Sequence, residues 1–129
     1  MSLNWGVLKI FTKCGELSMT FTVKERDRRF NIVRANMKSE GLDALIVSGS
    51  TGVGIPRNGN YTYLTNHKLI YSTAMVYFPF EGEPTMLVPG ENQLLDARRS
   101  TWIDDSRLAV PPVDHACDLI KSNSSNFSR

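Results

Sequence analysis

The chain has 129 residues, of which 41% are apolar and 22% charged, which indicates a globular domain rather than a disordered or fibrous chain. Fifteen basic and 13 acidic residues leave a net charge of +2, too small to favour a nucleic-acid or membrane partner. No apolar run approaches the roughly 20 residues that span a bilayer, and no secretory signal precedes the two cysteines. We therefore expect a cytoplasmic protein with two unpaired thiols.

A helix over residues 23–40 is the first element that the sequence predicts. Thr22 and Glu25 fit a capping box, in which the hydroxyl accepts from the Glu25 amide and the carboxylate reaches back to Thr22. Gly41 suits the left-handed residue that ends a helix. The basic residues between 24 and 34 are expected on its solvated face. An apolar stripe at helical spacing would face the core: Phe30, Val33 and Met37.

An apolar run follows this helix directly. Residues 42–47 (LDALIV) predict a buried strand, central in a sheet and parallel to a neighbour. Residues 48–60 hold four glycines and a proline and are expected to form a loop. Residues 61–65 could form either a short helix or an extended turn, and the sequence leaves both open.

Two runs rich in β-forming residues predict a hairpin. They are residues 74–80 (AMVYFPF) and 84–88 (PTMLV), which a short glycine-bearing turn joins. Residues 91–99 then predict a short helix, and residues 101–103 a last strand. The acidic pair at 104–105 is assigned to a turn or a helix cap. Helices that alternate with strands indicate an α/β fold, a mixed sheet covered by helices.

The sequence divides at Pro111-Pro112. Residues 21–110 would form the domain proper, and residues 1–20 an N-terminal arm of unclear structure. Residues 111–129 are expected to be a linker or the start of a further domain, with a helix over residues 113–121 and a polar tail rich in serine and asparagine.

Three segments carry a family resemblance. Residues 25–49 join a charged helix with spaced arginines to Gly-Leu-Asp-Ala and a hydrophobic strand, and TMLVP at residues 85–89 closes the hairpin. Between them, NYTYLTN at residues 60–66 is similar to an Asn-x-x-Tyr-Leu-Thr-Gly motif, with Asn66 in place of the usual glycine. In this order they resemble the N-terminal domain of the creatinase/prolidase family, metallohydrolases that include Xaa-Pro aminopeptidases and dipeptidases. The loop at residues 51–59 is longer than the usual connection.

The resemblance implies a fold and a division of labour. The fold would be the family's mixed β-sheet covered by helices, with a ribonuclease H-like motif. Two divalent metals (manganese, cobalt or zinc) would be held by two Asp, one His and two Glu in a C-terminal catalytic domain, which we expect beyond Arg129. This chain would then carry no catalytic residue, no metal ligand and no cofactor. Its partners would be that catalytic domain and a second copy in a homodimer, and its role would be dimerisation and substrate access.

The same resemblance supplies candidate site residues. In the family, the loop after the Tyr-Leu-Thr motif approaches the active site, often that of the partner subunit. Asn66, His67, Lys68 and Tyr71 are therefore candidates for lining a substrate pocket. Arg57, in the glycine-rich loop, could bind a substrate carboxylate through its guanidinium fork. The alternatives are an exposed histidine and an ordinary mobile loop.

Other chemistry-bearing residues predict less. His115 and Cys117 supply two soft ligands, whereas a zinc site needs three or four. A different class of function remains open beside the enzyme domain. Some relatives of the family have lost their metals and bind proteins, so this chain could be a stand-alone peptide- or protein-binding module that reads its partner through residues 57–67.

Overall fold

The computed structural model describes residues 22–51, 57–70 and 72–124, which contain four helices around one four-stranded sheet. The helices are α1 (Val23–Glu40), α2 (Gly59–Thr65), α3 (Glu91–Ser100) and α4 (Pro112–Ser124). The strands are β1 (Ala44–Ser50), β2 (Thr73–Pro79), β3 (Thr85–Val88) and β4 (Asp105–Leu108). The predicted α/β class, a mixed sheet covered by helices, is confirmed at this level. The predicted arm at residues 1–20 lies outside the described residues.

The predicted Thr22 cap and the predicted end of α1 at Gly41 are confirmed, whereas the Glu25 carboxylate, expected to reach back to Thr22, bonds to arginines. The Thr22 hydroxyl accepts from the Glu25 amide at 3.3 Å, and Gly41 ends the helix with φ 65°. Phe30 and Met37 are buried, and Val33 packs against them. The Glu25 carboxylate accepts from Arg28 and Arg29, and these hydrogen bonds lower the pKa of Glu25 to about 2.

The sheet has the order β1-β2-β3-β4 and mixes both pairing directions. β1 and β2 run antiparallel with Val47 opposite Val76, and the predicted hairpin is confirmed by antiparallel pairing of Met75 with Leu87. β4 runs parallel to β3, which requires the crossover through α3. The sheet is therefore a meander of three strands with one parallel strand added.

Helices cover both faces of the sheet. On one face, α1, α2 and α3 pack a large core against β2 and β3, with Phe30, Tyr61, Phe78 and Met86 among its buried residues. On the other face, α4 buries Ala116 against Leu87 and Ala109. The helix predicted at residues 113–121 is thus confirmed, and it packs on the same sheet as the rest of the described chain. The proposed boundary at Pro111 stays a prediction.

Two predicted strands need correction. Among the described strands β1 lies at an edge, not in the centre, and it pairs antiparallel. Its residues alternate between the core and solvent, with Val47 half-buried and Ile46 39% exposed. The strand predicted at residues 101–103 is wrong, because Trp102 packs against the core beside α2 and the strand begins at Asp105. The acidic pair therefore starts a strand instead of ending one.

Candidate functional site

Residues 61–65, which the sequence left open as a short helix or an extended turn, lie in the helix α2 (Gly59–Thr65). Tyr61, Leu64 and Thr65 are buried beneath it. Asn66 ends the helix with φ 57° and ψ 12°, the left-handed conformation, and its backbone N–H donates to the Thr62 carbonyl. This is the conformation that glycine adopts at no steric cost, so Asn66 occupies a position that favours glycine.

The last carbonyls of α2 are bound by residues that follow α3. The Trp102 indole donates to the Leu64 carbonyl at 2.6 Å, and the Thr101 hydroxyl donates to the Thr65 carbonyl at 2.6 Å. The Asn66 side-chain amide donates to the Ser100 carbonyl at 3.2 Å. Carbonyls at a helix end lack partners within the helix, and these contacts supply them. The segment is therefore held at a fixed position over the sheet.

Arg29 reaches the same segment from α1. Its Nη1 donates to the Tyr63 carbonyl at 2.9 Å, and its guanidinium lies 4.6 Å from the Tyr63 ring centre and 5.2 Å from that of Trp102. Only 8% of Arg29 is exposed, so the prediction that the basic residues of α1 all face solvent is wrong here. Cation–π contact and ion pairing with Glu25 stabilise this buried charge.

His67 is buried and hydrogen-bonded at both ring nitrogens. Its Nδ1 lies 2.8 Å from the Tyr61 hydroxyl and its Nε2 lies 3.2 Å from Oδ2 of Asp96, and 1% of the residue is exposed. Burial lowers the pKa of His67, and the Asp96 carboxylate opposes that shift. A neutral ring protonated at Nε2 fits both contacts, with the Tyr61 hydroxyl donating to Nδ1. Burial also raises the pKa of Tyr61, which keeps that proton in place.

The predicted site residues thus have different surroundings. Lys68 and Arg57 are exposed, whereas His67 is buried and Asn66 is half-buried. The backbone of Arg57 pairs with Ser50, which places it beside the end of β1. No hydrogen bond or ion pair between described residues joins Arg57 to His67. The remaining candidate, Tyr71, lies outside the described residues. The exposed histidine considered as an alternative is wrong.

A groove lies on the α4 face of the sheet, where no site residue was predicted. It is a groove of about 620 Å³ between the β2–β3 turn and the end of α4. We call it the hairpin groove and define it by six lining residues: Asp43, Tyr77, Phe80, Glu81, Glu83 and Asn123. Sequence reasoning missed it because these residues come from three separate segments. The only signal was the acidic residue on each side of Gly82.

The Tyr77 hydroxyl in this groove has no hydrogen-bond partner among the described residues, even though Tyr77 is buried, with only 3% of the residue exposed. Burial raises the pKa of Tyr77, and the neighbouring Asn123 amide opposes the shift, but the two side chains form no hydrogen bond of acceptable geometry. A buried hydroxyl without a partner is uncommon in folded proteins, so the Tyr77 oxygen is available to bond a ligand in the groove.

The remaining chemistry-bearing residues form no cluster in the described part of the chain. Within residues 22–51, 57–70 and 72–124, no three His, Cys, Asp or Glu side chains are placed to hold a metal ion. Asp105 accepts from Thr85 and Arg107, and these contacts lower its pKa, with Arg107 as the main cause. Cys117 is exposed on α4. Over the same ranges, no helix combines the length and the apolar character needed to cross a bilayer.

No protein-family model matches this chain, and no curated protein matches it either.

Proposed function

We propose that this chain is the non-catalytic N-terminal domain of a creatinase- or Xaa-Pro-peptidase-like metallohydrolase. In this proposal it supports dimerisation and shapes substrate access to a catalytic domain. That catalytic domain would hold two divalent metals, which polarise the scissile bond and activate water. This chain would supply no ligand to them.

The observation that carries the proposal is the backbone of Asn66. The motif at residues 60–66 departs from the family pattern at one position, where asparagine replaces glycine. Asn66 has φ 57°, so the departure falls where the backbone favours glycine, and asparagine tolerates that region better than most residues. The order of elements, from helix and edge strand through α2 to the hairpin, is consistent with the proposal.

Of the candidate residues for substrate access, only the exposed ones could contact a substrate. Lys68 is exposed directly after the buried His67, and Ile70, two residues further, is 62% exposed. His67 would then hold the loop at its base instead of touching substrate. We assign substrate access to Lys68 and, from the neighbouring loop, to Arg57.

The test begins with the coding frame. We would read the native gene past the codon for Arg129 and express the extended product with manganese, cobalt or zinc. The proposal expects a following domain with two Asp, one His and two Glu in ligand positions, and chelator-sensitive hydrolysis of Xaa-Pro peptides. A stop codon after Arg129, or an extended protein without hydrolase activity in any of the three metals, contradicts it.

Two further measurements test the role of this domain within the extended enzyme. The variant Lys68→Ala is expected to raise KM more than it lowers kcat, because Lys68 would act on substrate entry. Lys38→Ala, on the exposed end of α1, is the matched control and should leave both unchanged. Sedimentation equilibrium should give a dimer. Equal kinetics for both variants, or a monomer with full activity, would remove the assigned role.

The second candidate, a peptide- or protein-binding module, is favoured by the hairpin groove. The groove lies on the sheet face opposite α2 and holds a buried hydroxyl that no described residue bonds. The 129-residue chain separates the two candidates. Saturable peptide binding by this chain, with a stop codon after Arg129, would favour the module over the enzyme domain.

A further inference from the structure

The hairpin groove has an excess of negative charge. Asp43, Glu81 and Glu83 line it and are exposed. Arg107, the one basic side chain among the described lining residues, donates through Nε and Nη2 to both oxygens of Asp105 at 2.8 Å, so that positive charge is already paired. A groove with this charge attracts a cation.

Another arginine approaches the turn from the opposite face of the sheet. Arg34 of α1 donates from Nη2 to the Gly82 carbonyl at 2.6 Å, and its guanidinium lies 5.2 Å from the ring centre of Phe78. Phe78 and Tyr77 are consecutive in β2, so their side chains point to opposite faces. Arg34 therefore holds the turn in place from the face opposite the groove.

The polar atoms of the groove are mainly acceptors. The side chains of Ser122 and Asn123 both donate to the Leu119 carbonyl, at 3.0 and 2.9 Å, so their donor groups point back into α4. The Asn123 carbonyl oxygen, the Tyr77 phenol oxygen and the carboxylates at the rim remain as acceptors. A ligand that satisfies them must be rich in donors.

An aromatic residue forms part of the wall. Tyr77 lines the groove beside the carboxylates. A planar guanidinium combines five donors, a permanent charge and the ability to stack on aromatic rings, which a lysine ammonium does not. The buried Tyr77 hydroxyl adds an acceptor that the described residues leave unused.

We propose that the hairpin groove binds the arginine side chain of a peptide segment from a partner protein. The guanidinium enters beside Tyr77, the carboxylates of Glu81 and Glu83 accept its outer N–H groups, and the Tyr77 oxygen accepts an inner one. This inference goes beyond the proposed function and does not depend on it, because the groove lies on the sheet face opposite α2.

The test uses the 129-residue chain and three synthetic peptides. One is an acetylated and amidated hexapeptide with a single arginine among glycine and serine residues. The second carries citrulline in place of arginine, which has the same shape without the charge, and the third carries lysine. In a two-dimensional amide NMR titration, the arginine peptide should shift the signals of residues 43, 80–83, 85 and 122–123. The citrulline peptide should bind at least about fivefold more weakly. Raising the salt concentration should weaken the binding of the arginine peptide and leave the binding of the citrulline peptide unchanged.

Variants locate the site. The double variant Glu81→Gln/Glu83→Gln should lower the affinity for the arginine peptide about fivefold, because it removes the charges that pair with the guanidinium. Both side chains are exposed, so the fold should be unchanged. Tyr77→Phe should also lower affinity about fivefold with an unchanged fold. Glu91→Gln, which neutralises one exposed carboxylate at the other end of β3, is the control for loss of charge away from the groove and should bind as the unaltered chain does.

Any of the following binding results would overturn the proposal: no binding of the arginine peptide, equal binding of the citrulline peptide, equal binding of the lysine peptide, or full affinity in both groove variants. Signal shifts confined to residues 57–70 would also overturn it, because they would place the peptide on the opposite face of the sheet.

Discussion

The Tyr61 hydroxyl lies 2.8 Å from Nδ1 of His67, inside the core that α2 forms with the sheet. The other ring nitrogen lies 3.2 Å from Asp96 on α3. One imidazole thus joins two helices, and it does so in the neutral form. This arrangement makes the stability of the domain sensitive to the protonation of His67.

The unfolding free energy should fall as the pH is lowered below about 6.5, the ordinary pKa of histidine. Burial lowers the pKa of His67 in the folded state, so the unfolded state binds more protons in this window, and protonation favours unfolding. Urea titrations at pH 7.5 and 5.5 measure the change. The pKa of Asp105 is lowered, so that group titrates at more acidic pH, outside the window.

His67→Gln is the control for this pH dependence, since it removes the titrating group. The variant should be less stable at pH 7.5, but its unfolding free energy should change less between the two pH values. His115, exposed on α4, is retained in both proteins and cancels in the comparison. The same pH dependence in the variant and the unaltered chain would rule out His67 as the group responsible.

Removing the Tyr61 hydroxyl should destabilise the fold. Tyr61→Phe leaves the buried Nδ1 of His67 without its donor, at a cost of about 1–3 kcal/mol. Tyr77→Phe is the matched control, because it removes a buried hydroxyl that no described residue bonds and should leave stability unchanged or slightly raised. Guanidinium titrations of the two variants give the comparison. Equal losses in both would show that the contact with His67 contributes nothing.

Gly49 is required by the close approach of β1 to α2. A Cβ added at Gly49 would lie 2.8 Å from both Cβ and Cγ of Tyr61, which is buried. Gly49→Ala should therefore destabilise by about 1–3 kcal/mol through overpacking. Gly59→Ala, at the start of α2, meets no described atom within 4 Å and should be neutral or stabilising. A thermal melt of Gly49→Ala that matches the unaltered chain would contradict the close approach of the two elements.

Arg29 should resist replacement by lysine. The change Arg29→Lys loses the planar group that lies over Tyr63 and Trp102 and weakens the bond to the Tyr63 carbonyl, for about 1–3 kcal/mol. Arg28→Lys, which alters an exposed partner of the same Glu25, should leave stability unchanged. Trp102 fluorescence should also shift in the Arg29 variant alone. Similar behaviour of the two variants would mean that the ring contacts do not stabilise the fold.

Local signals made part of this fold predictable. The Thr22 cap and the left-handed Gly41 mark the two ends of α1, and the predicted bounds 23–40 are confirmed. β1 was harder, because Leu45, Ile46 and Val47 are consecutive and apolar, as in a strand buried on both faces. In the structure both Ile46 and Ser48 are exposed, so the strand alternates. Of these two residues, only the polar Ser48 indicates an exposed position in the sequence.

The candidate site depended on contacts that are distant in sequence. His67 bonds to residues 6 and 29 positions away, so no local pattern indicates its burial. β4 has the sequence DSRL, in which Asp105 and Arg107 pair with each other at a sheet edge, and it carries no apolar signal. Tyr77 looked like an ordinary strand tyrosine, since its missing partner is visible only in three dimensions.

The backbone at Asn66 gives the last prediction. Asn66→Gly loses the bond to the Ser100 carbonyl but relieves the left-handed backbone, so stability should stay within about 1 kcal/mol of the unaltered chain. Asn66→Ala loses the same bond and keeps a Cβ at φ 57°, so it should be less stable than the glycine variant by about 1–2 kcal/mol. Urea titrations of the pair measure the difference. An alanine variant as stable as the glycine variant would show that this position does not favour glycine, and would remove the observation on which the family proposal rests.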